Sequence, residues 1–243
     1  MTDAGTFFRT LMRAARDLLR PDILFHALWP PALAFLVWSV IAWFAWQPLS
    51  AWVQAELPQW QVFVWLDWLV PSLAHVAVFL LFAPGVYFTA LFFVAVFALP
   101  RMMALIAARD YPDVSRQGSA AAAFWGSIAN TVAAGGIFIA GWLLTLPLLL
   151  IPGAVLVLPL FWTAWLNQRA FRFDAIAEHA RPEERVALVR REKGSLYLGG
   201  LVGALAAHVP ILNLLALAYT AVLFVHLCLG ALRELRAEQG VNV

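Results

Sequence analysis

Four long apolar stretches dominate the chain, at 23–49, 62–99, 120–166 and 196–232, with short polar or basic segments between them. The runs are continuous and lack the period-two alternation of barrel strands, so they predict helix. Residues 23–49 suffice to cross a hydrocarbon core of about 30 Å, which takes about 20 residues. Pro30-Pro31 fall near the start of that run, where proline permits a helix start or a kink. The second stretch is too long for one straight perpendicular crossing, since 62–99 as a helix measures about 57 Å. Two crossings would put Arg101, Arg109 and Arg116 on the outer side, so a single crossing is predicted. It is tilted or kinked at Pro84-Gly85 and continues to residue 108.

The other two stretches are each broken near the middle. Pro147, Pro152 and Gly153 interrupt 120–168, and Val209-Pro210-Ile211-Leu212-Asn213 interrupts 196–232. In the second, the arm 196–209 spans only about 21 Å, too short to cross. Both regions begin and end near basic residues, so both read as helical hairpins that penetrate the bilayer in part. Asn213, after Pro210, is placed to cap the second arm of the last hairpin. Residues 7–20 have a different pattern. Phe7, Phe8, Leu11, Met12, Ala15, Leu18 and Leu19 fall on one helical face, and Arg9, Arg13, Arg16 and Arg20 on the other. Such a helix lies in the headgroup plane with its arginines against anionic lipid. Residues 170–194 form a second amphipathic element, with Pro182-Glu183-Glu184 suited to a helix start and Gly194 to its end.

Composition agrees with this pattern and narrows it. Of 243 residues, 63% are apolar and 12% charged, against about 45–50% and about 25% in a soluble domain. The fold class expected is an all-α integral membrane protein: two long spanning helices, two proline-broken hairpins and interfacial amphipathic helices in one domain, 1–243. The sixteen Lys and Arg residues fall in four blocks, none of them between Pro21 and Pro100. The positive-inside rule explains these blocks as cytoplasmic. A nucleic-acid partner is not expected, because no soluble module carries a basic face. The 48–61 connection has Glu56 and no Lys or Arg, and Trp43, Trp46, Trp52, Trp60, Trp65 and Trp68 lie within or beside it, as in an outer aromatic belt. The expected location is the cell inner membrane, with several passes and no cleaved signal peptide.

Candidate chemistry is sparse. His26, His75, His179, His208 and His226 are dispersed and Cys228 stands alone, so no metal site is expected. No phosphate-binding glycine loop or nucleophile elbow is present, so neither a cofactor nor a catalytic residue is expected, and the chain does not read as an enzyme. Asp67 reads as a solvated carboxylate near the tryptophan belt, and His75 as a neutral ring bonded to nearby backbone or hydroxyl. Gly199 and Gly203, like Gly135, Gly136 and Gly141, read as close-packing positions. The more informative group is Asn167-Gln168-Arg169 followed by Phe171-Arg172-Phe173-Asp174. Its arginines either snorkel to anchor a helix end, paired with local acids, or gather oxyanions at a vestibule.

In its organisation and in an ordered set of local motifs, the chain resembles the etoposide-induced protein/CysZ membrane family. The motifs are Arg20-Pro21, Leu99-Pro100, Ile151-Pro152-Gly153, Ala164-Trp165, Glu178-His179 and Val209-Pro210-Ile211-Leu212-Asn213. The resemblance implies two spanning helices with two partly penetrating hairpins, and homo-oligomers. It also implies a permease for a small inorganic anion, sulfate first, since CysZ members are sulfate permeases. The sulfate-binding Gly-Leu-Arg segment of that branch is replaced here by Asp22-Ile23-Leu24, and its Asp-Tyr-Pro stretch by Phe173-Asp174-Ala175. A carboxylate such as Asp22 repels sulfate by about 1 kcal/mol at 4 Å in water. If an anion path exists, Arg169 and Arg172 gather anions at its mouth, Asn213 and the backbone around Pro210 supply donors deeper in, and Arg20 assists. The competing reading is a non-catalytic scaffold that binds protein partners or anionic lipid.

Overall fold

The computed structural model describes residues 3–56 and 69–240, and every regular element among them is helical. In order these are α1 (Ala4–Leu18), α2 (Pro21–Glu56), α3 (Leu69–Phe93), a π turn (Val94–Ala98), α4 (Leu99–Asp110), α5 (Ala120–Thr145), a 3₁₀ turn (Leu146–Leu150), α6 (Ala154–Ile176), α7 (Pro182–Arg191), α8 (Lys193–His208) and α9 (Pro210–Glu238). Among the described residues, four helical stretches are long and apolar enough to cross a membrane: Pro21–Glu56, Leu69–Asp110, Ala121–Leu150 and Leu215–Glu238. The protein is an all-α, multi-pass membrane protein. Trp60, Trp65, Trp68 and Asp67 lie outside the described residues.

The chain divides into two compact units, one of residues up to Leu24 and from Leu99 onward, the other Phe25–Ala98. In the second unit large aromatic side chains join the two helices. Trp38 Nε1 donates to Thr89 Oγ1 at 3.0 Å, and its ring meets Phe82 edge-on. Gly85 is what admits that ring, because a β-carbon there would overlap it. Pro84-Gly85 thus lies inside a continuous helix, and glycine serves the packing of Trp38. His75 Nδ1 lies 2.6 Å from the Pro71 carbonyl and its ring stacks on Trp46, a local satisfaction of the imidazole by backbone.

The first unit is built around α9. Leu223, Phe224, Leu229 and Leu232 are fully buried, and α1, α4, α6, α7 and α8 all pack on this helix. An apolar helix without a polar face belongs in the middle of a bundle. α5 starts at Ser119, whose hydroxyl accepts from the Ala122 N–H at 3.2 Å. The following hairpin closes at Ile151-Pro152-Gly153, where Gly153 takes φ +87°, a left-handed value that glycine adopts without strain. Gly141 on α5 faces Trp162 on α6 with no room for a β-carbon, and Trp162 Nε1 donates to Thr145 Oγ1 at 3.0 Å.

Two expected end signals fall elsewhere. Gly194 does not end the amphipathic element: α7 stops at Arg191, and Gly194 sits in the first turn of α8 without a positive φ. The break between the two helices needs only a bend at Glu192 (φ −104°, ψ 22°), a conformation open to any residue. Asn213 does not cap α9. The cap position is Val209, and Asn213 lies within the first turn, its N–H bonded to the Val209 carbonyl at 2.7 Å.

Candidate anion site

The second half of α6 carries polar side chains that meet α5 and α8. Trp165, Arg169 and Arg172 share a face by their spacing of four and three. The Arg169 guanidinium lies over the Trp165 ring, 5.7 Å from its centroid, a cation–π arrangement that holds the charge without cancelling it. Its Nε is buried and has no hydrogen-bond acceptor. Arg172 Nη1 donates to Gln168 Oε1 at 3.0 Å, one turn earlier. Its ionisable neighbours are Arg169, Tyr197 and Cys228. Among the described residues, neither arginine has a carboxylate within ion-pair distance. Asp174, the acid nearest in sequence, is instead bonded by the Ser127 hydroxyl of α5.

Packing fixes this stretch on two sides. On α5, Asn130 Nδ2 donates to the Arg169 carbonyl at 3.3 Å. On α8, Gly200 lies so close to α6 that a β-carbon would collide with the Ala164 carbonyl, and Asn167 Nδ2 donates to Gly200 O at 3.3 Å. Gly203 opens room in the same way for Thr220 of α9. The 199–203 glycines are therefore packing positions, as expected from their spacing. Gly135 and Gly136 differ, since a β-carbon at either would meet nothing within 4 Å.

The remaining sequence-derived candidates sit in other settings. Arg20 Nη2 donates to Asp22 Oδ2 at 2.7 Å, and its Nη1 lies 3.9 Å from Asp17, so two carboxylates already offset its charge. Asn213 is exposed in the first turn of α9. The structure brings Arg169 and Arg172 together on one helix and gives Arg20 and Asn213 other surroundings.

A second polar cluster escapes a reading of the sequence. Asp17 of α1 and His226 of α9 are both buried, with Nε2 2.9 Å from Asp17 Oδ2. Tyr111, just after α4, places its hydroxyl 3.1 Å from His226 Nδ1 and 3.3 Å from the His226 carbonyl. Burial drives the Tyr111 phenol up to about 12, against the pull of Arg13 and Arg233. Asp17, Asp110 and His226 each bring a donor atom within 4.8 Å of the others. Guanidiniums already share those carboxylates, however: Arg109 reaches Asp17 at 3.4 Å and Asp110 at 3.6 Å, and Arg13 reaches Asp110 at 3.5 Å. A divalent cation there would face Arg13, Arg109 and, 3.9 Å from Asp17, Arg20, so the arrangement is an ion-pair network. The one available signal was Asp17 itself, the acid among the arginines of an amphipathic helix.

A third set of contacts closes the basic end of the bundle. Arg236 of α9, 1% exposed, bonds Glu184 through Nε at 2.9 Å and Nη2 at 3.1 Å, and also the His179 carbonyl at 2.6 Å. Glu184 Oε2 meanwhile accepts from the Arg181 N–H at 2.8 Å, fixing the start of α7. Arg185 covers the carbonyls of Ala177 and Ala180 beyond the end of α6.

The family model of the sulfate transporter CysZ/etoposide-induced protein 2.4 matches residues 10–218, and the chain belongs to that family. The match runs from Thr10, within α1, through the first third of α9 and includes the whole of the Arg169–Arg172 segment. No curated protein matches the chain.

Proposed function

We propose that this protein is a permease for a small inorganic anion, with sulfate the first candidate, and that Arg169 and Arg172 gather the anion. The observation that carries this reading is the pair of half-buried guanidiniums on α6 without a carboxylate partner, one of them with an unsatisfied buried Nε. A buried arginine is ordinarily paired, and an unpaired pair of like charges in a poorly screened site creates a field that an oxyanion relieves. Family membership supports sulfate as that oxyanion. The proposed location is the cell inner membrane, the proposed assembly a homo-oligomer, and no enzymatic step is part of the reading.

The test is uptake of labelled sulfate into proteoliposomes by the wild type and by a double variant, Arg169→Gln with Arg172→Gln. Saturable uptake in the wild type is expected, with half-saturation raised by about tenfold in the variant, which corresponds to about 1.4 kcal/mol of binding. An unchanged half-saturation in a well-folded variant would remove the arginines from the path, and no uptake by folded wild type would remove the transport reading.

One observation favours an additional partner. Phe8, Met12 and Leu19 lie exposed beside Arg9 and Arg16 on the side of α1 away from α9. An apolar stripe flanked by cations suits the headgroup–acyl boundary of an anionic bilayer. Flotation with liposomes containing or lacking phosphatidylglycerol cannot separate this from the spanning helices, so the suitable assay is stabilisation. Added phosphatidylglycerol raises the melting temperature of the wild type and not of an Arg9→Gln, Arg16→Gln variant.

A further inference from the structure

We propose that Gln168 is a positioning residue for the anion site: its neutral side chain fixes the Arg172 guanidinium while leaving the charge uncancelled. The inference rests on the anion reading given above and names the residue that sets its affinity.

Elsewhere in this unit, three buried or half-buried arginines are held by acids, while the half-buried Arg185 is held by the Ala177 and Ala180 carbonyls. Arg236 sits on Glu184, Arg20 on Asp22 and Asp17, and Arg233 on Asp113. Each of those pairs is close to electrically neutral as seen from a distance. Arg172 is held instead by an amide, with Nη1 3.0 Å from Gln168 Oε1. The carbonyl end of an amide supplies hydrogen-bond direction and only a partial negative charge, so nearly the whole positive charge of Arg172 remains for an external partner.

Gln168 is itself immobilised. Only 4% of it is exposed, and it lies at the contact of α6 with α8, where the missing side chain of Gly200 makes its room. A β-carbon on residue 200 would stand 3.1 Å from Gln168 Cβ and would collide with the Ala164 carbonyl behind it. The Asn167–Gly200 bond, 3.3 Å, secures the same contact from the preceding position. A side chain that is locked by packing and presents one acceptor to a cation is the geometry of a positioning residue, because it removes the rotamer freedom the cation would otherwise lose on binding a ligand. The ligand class follows from the charge: a compact oxyanion carrying one or two negative charges, able to accept from the free N–H groups of Arg172 and from Arg169 Nε.

Glutamate is nearly isosteric with glutamine and decides the matter. Gln168→Glu keeps the hydrogen bond and the packing and turns it into a buried ion pair, which neutralises Arg172. The expected result in sulfate-uptake proteoliposomes is a half-saturation concentration raised by about tenfold with the maximal rate unchanged. The melting temperature in detergent stays level or rises, and the further rise that added sulfate produces in the wild type is lost. Gln168→Met keeps the charge and removes the tether. Its half-saturation rises less than that of Gln168→Glu, and sulfate still stabilises it. A residue with a purely structural role predicts the reverse order, with glutamate harmless and methionine damaging. Unchanged sulfate affinity in Gln168→Glu overturns the inference, and so does a methionine variant indistinguishable from wild type. The double arginine variant is run beside them: if it loses affinity and Gln168→Glu does not, only the role of Gln168 falls. If it keeps wild-type affinity, the anion reading itself falls.

Discussion

The Asp17 carboxylate lies 2.9 Å from the Nε2 of His226, although 209 positions separate the two residues in the chain. Both are buried, and through them α1 is tied to the central helix, with the Tyr219 hydroxyl adding a bond to the Leu11 carbonyl at 3.3 Å. Asp17 also receives Arg109 at 3.4 Å. Replacing Asp17 by alanine strands the His226 imidazole N–H and leaves Arg109 with Asp110 as its remaining carboxylate. A buried hydrogen-bonding group left without its partner costs about 1–3 kcal/mol. The Asp17→Ala variant is therefore expected to melt well below the wild type in detergent, and amides of α1 to lose hydrogen-exchange protection ahead of those of α9. Asp17→Asn retains the bond to His226 and lies between the two. A melting curve for the alanine variant that overlays the wild type would show that α1 is held by its apolar contacts alone.

The Arg236–Glu184 pair gives a pH dependence of known sign. Burial pushes the Glu184 carboxyl up, but the Arg236 bonds and the Arg181 N–H outweigh it and hold the group below the ordinary carboxylate range. A carboxylate whose folded value is depressed contributes stability that is complete above its unfolded value, roughly 4.3, and is lost as pH falls toward the folded one. The wild type is thus expected to lose melting temperature on acidification below about pH 5. Glu184→Gln starts lower and has a flatter profile in that window. Arg236→Leu is the harsher change, since it leaves Glu184 buried beside an apolar side chain, at about 3 kcal/mol or more. Parallel acid profiles for wild type and Glu184→Gln would assign the acid sensitivity to other carboxylates.

What the sequence made legible here is local, and what it concealed is long-range. The hairpin at 151–153 was readable because a proline and a glycine with φ +87° leave few alternatives. The start of α7 was readable because Pro182, Glu183 and Glu184 satisfy a helix N-terminus by themselves. The end of that helix was misplaced at Gly194, because a glycine announces a left-handed cap whereas the chain merely bends at Glu192. Among site residues, Arg169 and Arg172 were visible as a helical pair in a polar segment, and their lack of acid partners became visible only in three dimensions. The pairing of Arg20 with Asp22 was open to inspection, two positions apart. The partnership of Asp17 with His226 was not: one residue sat among arginines and the other in an apolar run, and no local spacing relates them.

Glycines in the first hairpin provide a controlled comparison. Gly136 and Gly141 are both interior to α5, where alanine is favoured over glycine by up to about 1 kcal/mol on helix propensity. A β-carbon at Gly136 meets nothing within 4 Å, whereas one at Gly141 overlaps the Trp162 ring. Gly136→Ala is therefore expected to leave the melting temperature level or raise it. Gly141→Ala displaces the indole, endangers its bond to Thr145 and costs about 1–3 kcal/mol by overpacking. The Trp162 environment reports the difference independently through a shift of tryptophan emission. Equal behaviour of the two variants would mean that the α5–α6 contact is loose enough to absorb a methyl group.

Paired and unpaired arginines should behave differently toward an anion, and Arg20 is the natural contrast to Arg172. Its guanidinium is 2.7 Å from Asp22 and 3.9 Å from Asp17, so little net charge is left to attract sulfate, and the nearest carboxylates repel it. Arg20→Gln is expected to leave the half-saturation for sulfate unchanged while lowering thermal stability slightly, since a partly exposed ion pair contributes about 1 kcal/mol or less. Asp22→Asn works in the opposite direction by releasing part of the Arg20 charge. If the approach to the bundle at Arg20 forms part of the anion path, that variant transports sulfate with a lower half-saturation than wild type. If the path runs only past α6, uptake is unaffected by either change and responds to Arg169 and Arg172 alone, which is the result we expect because, among the described residues, no carboxylate lies within ion-pair distance of those two.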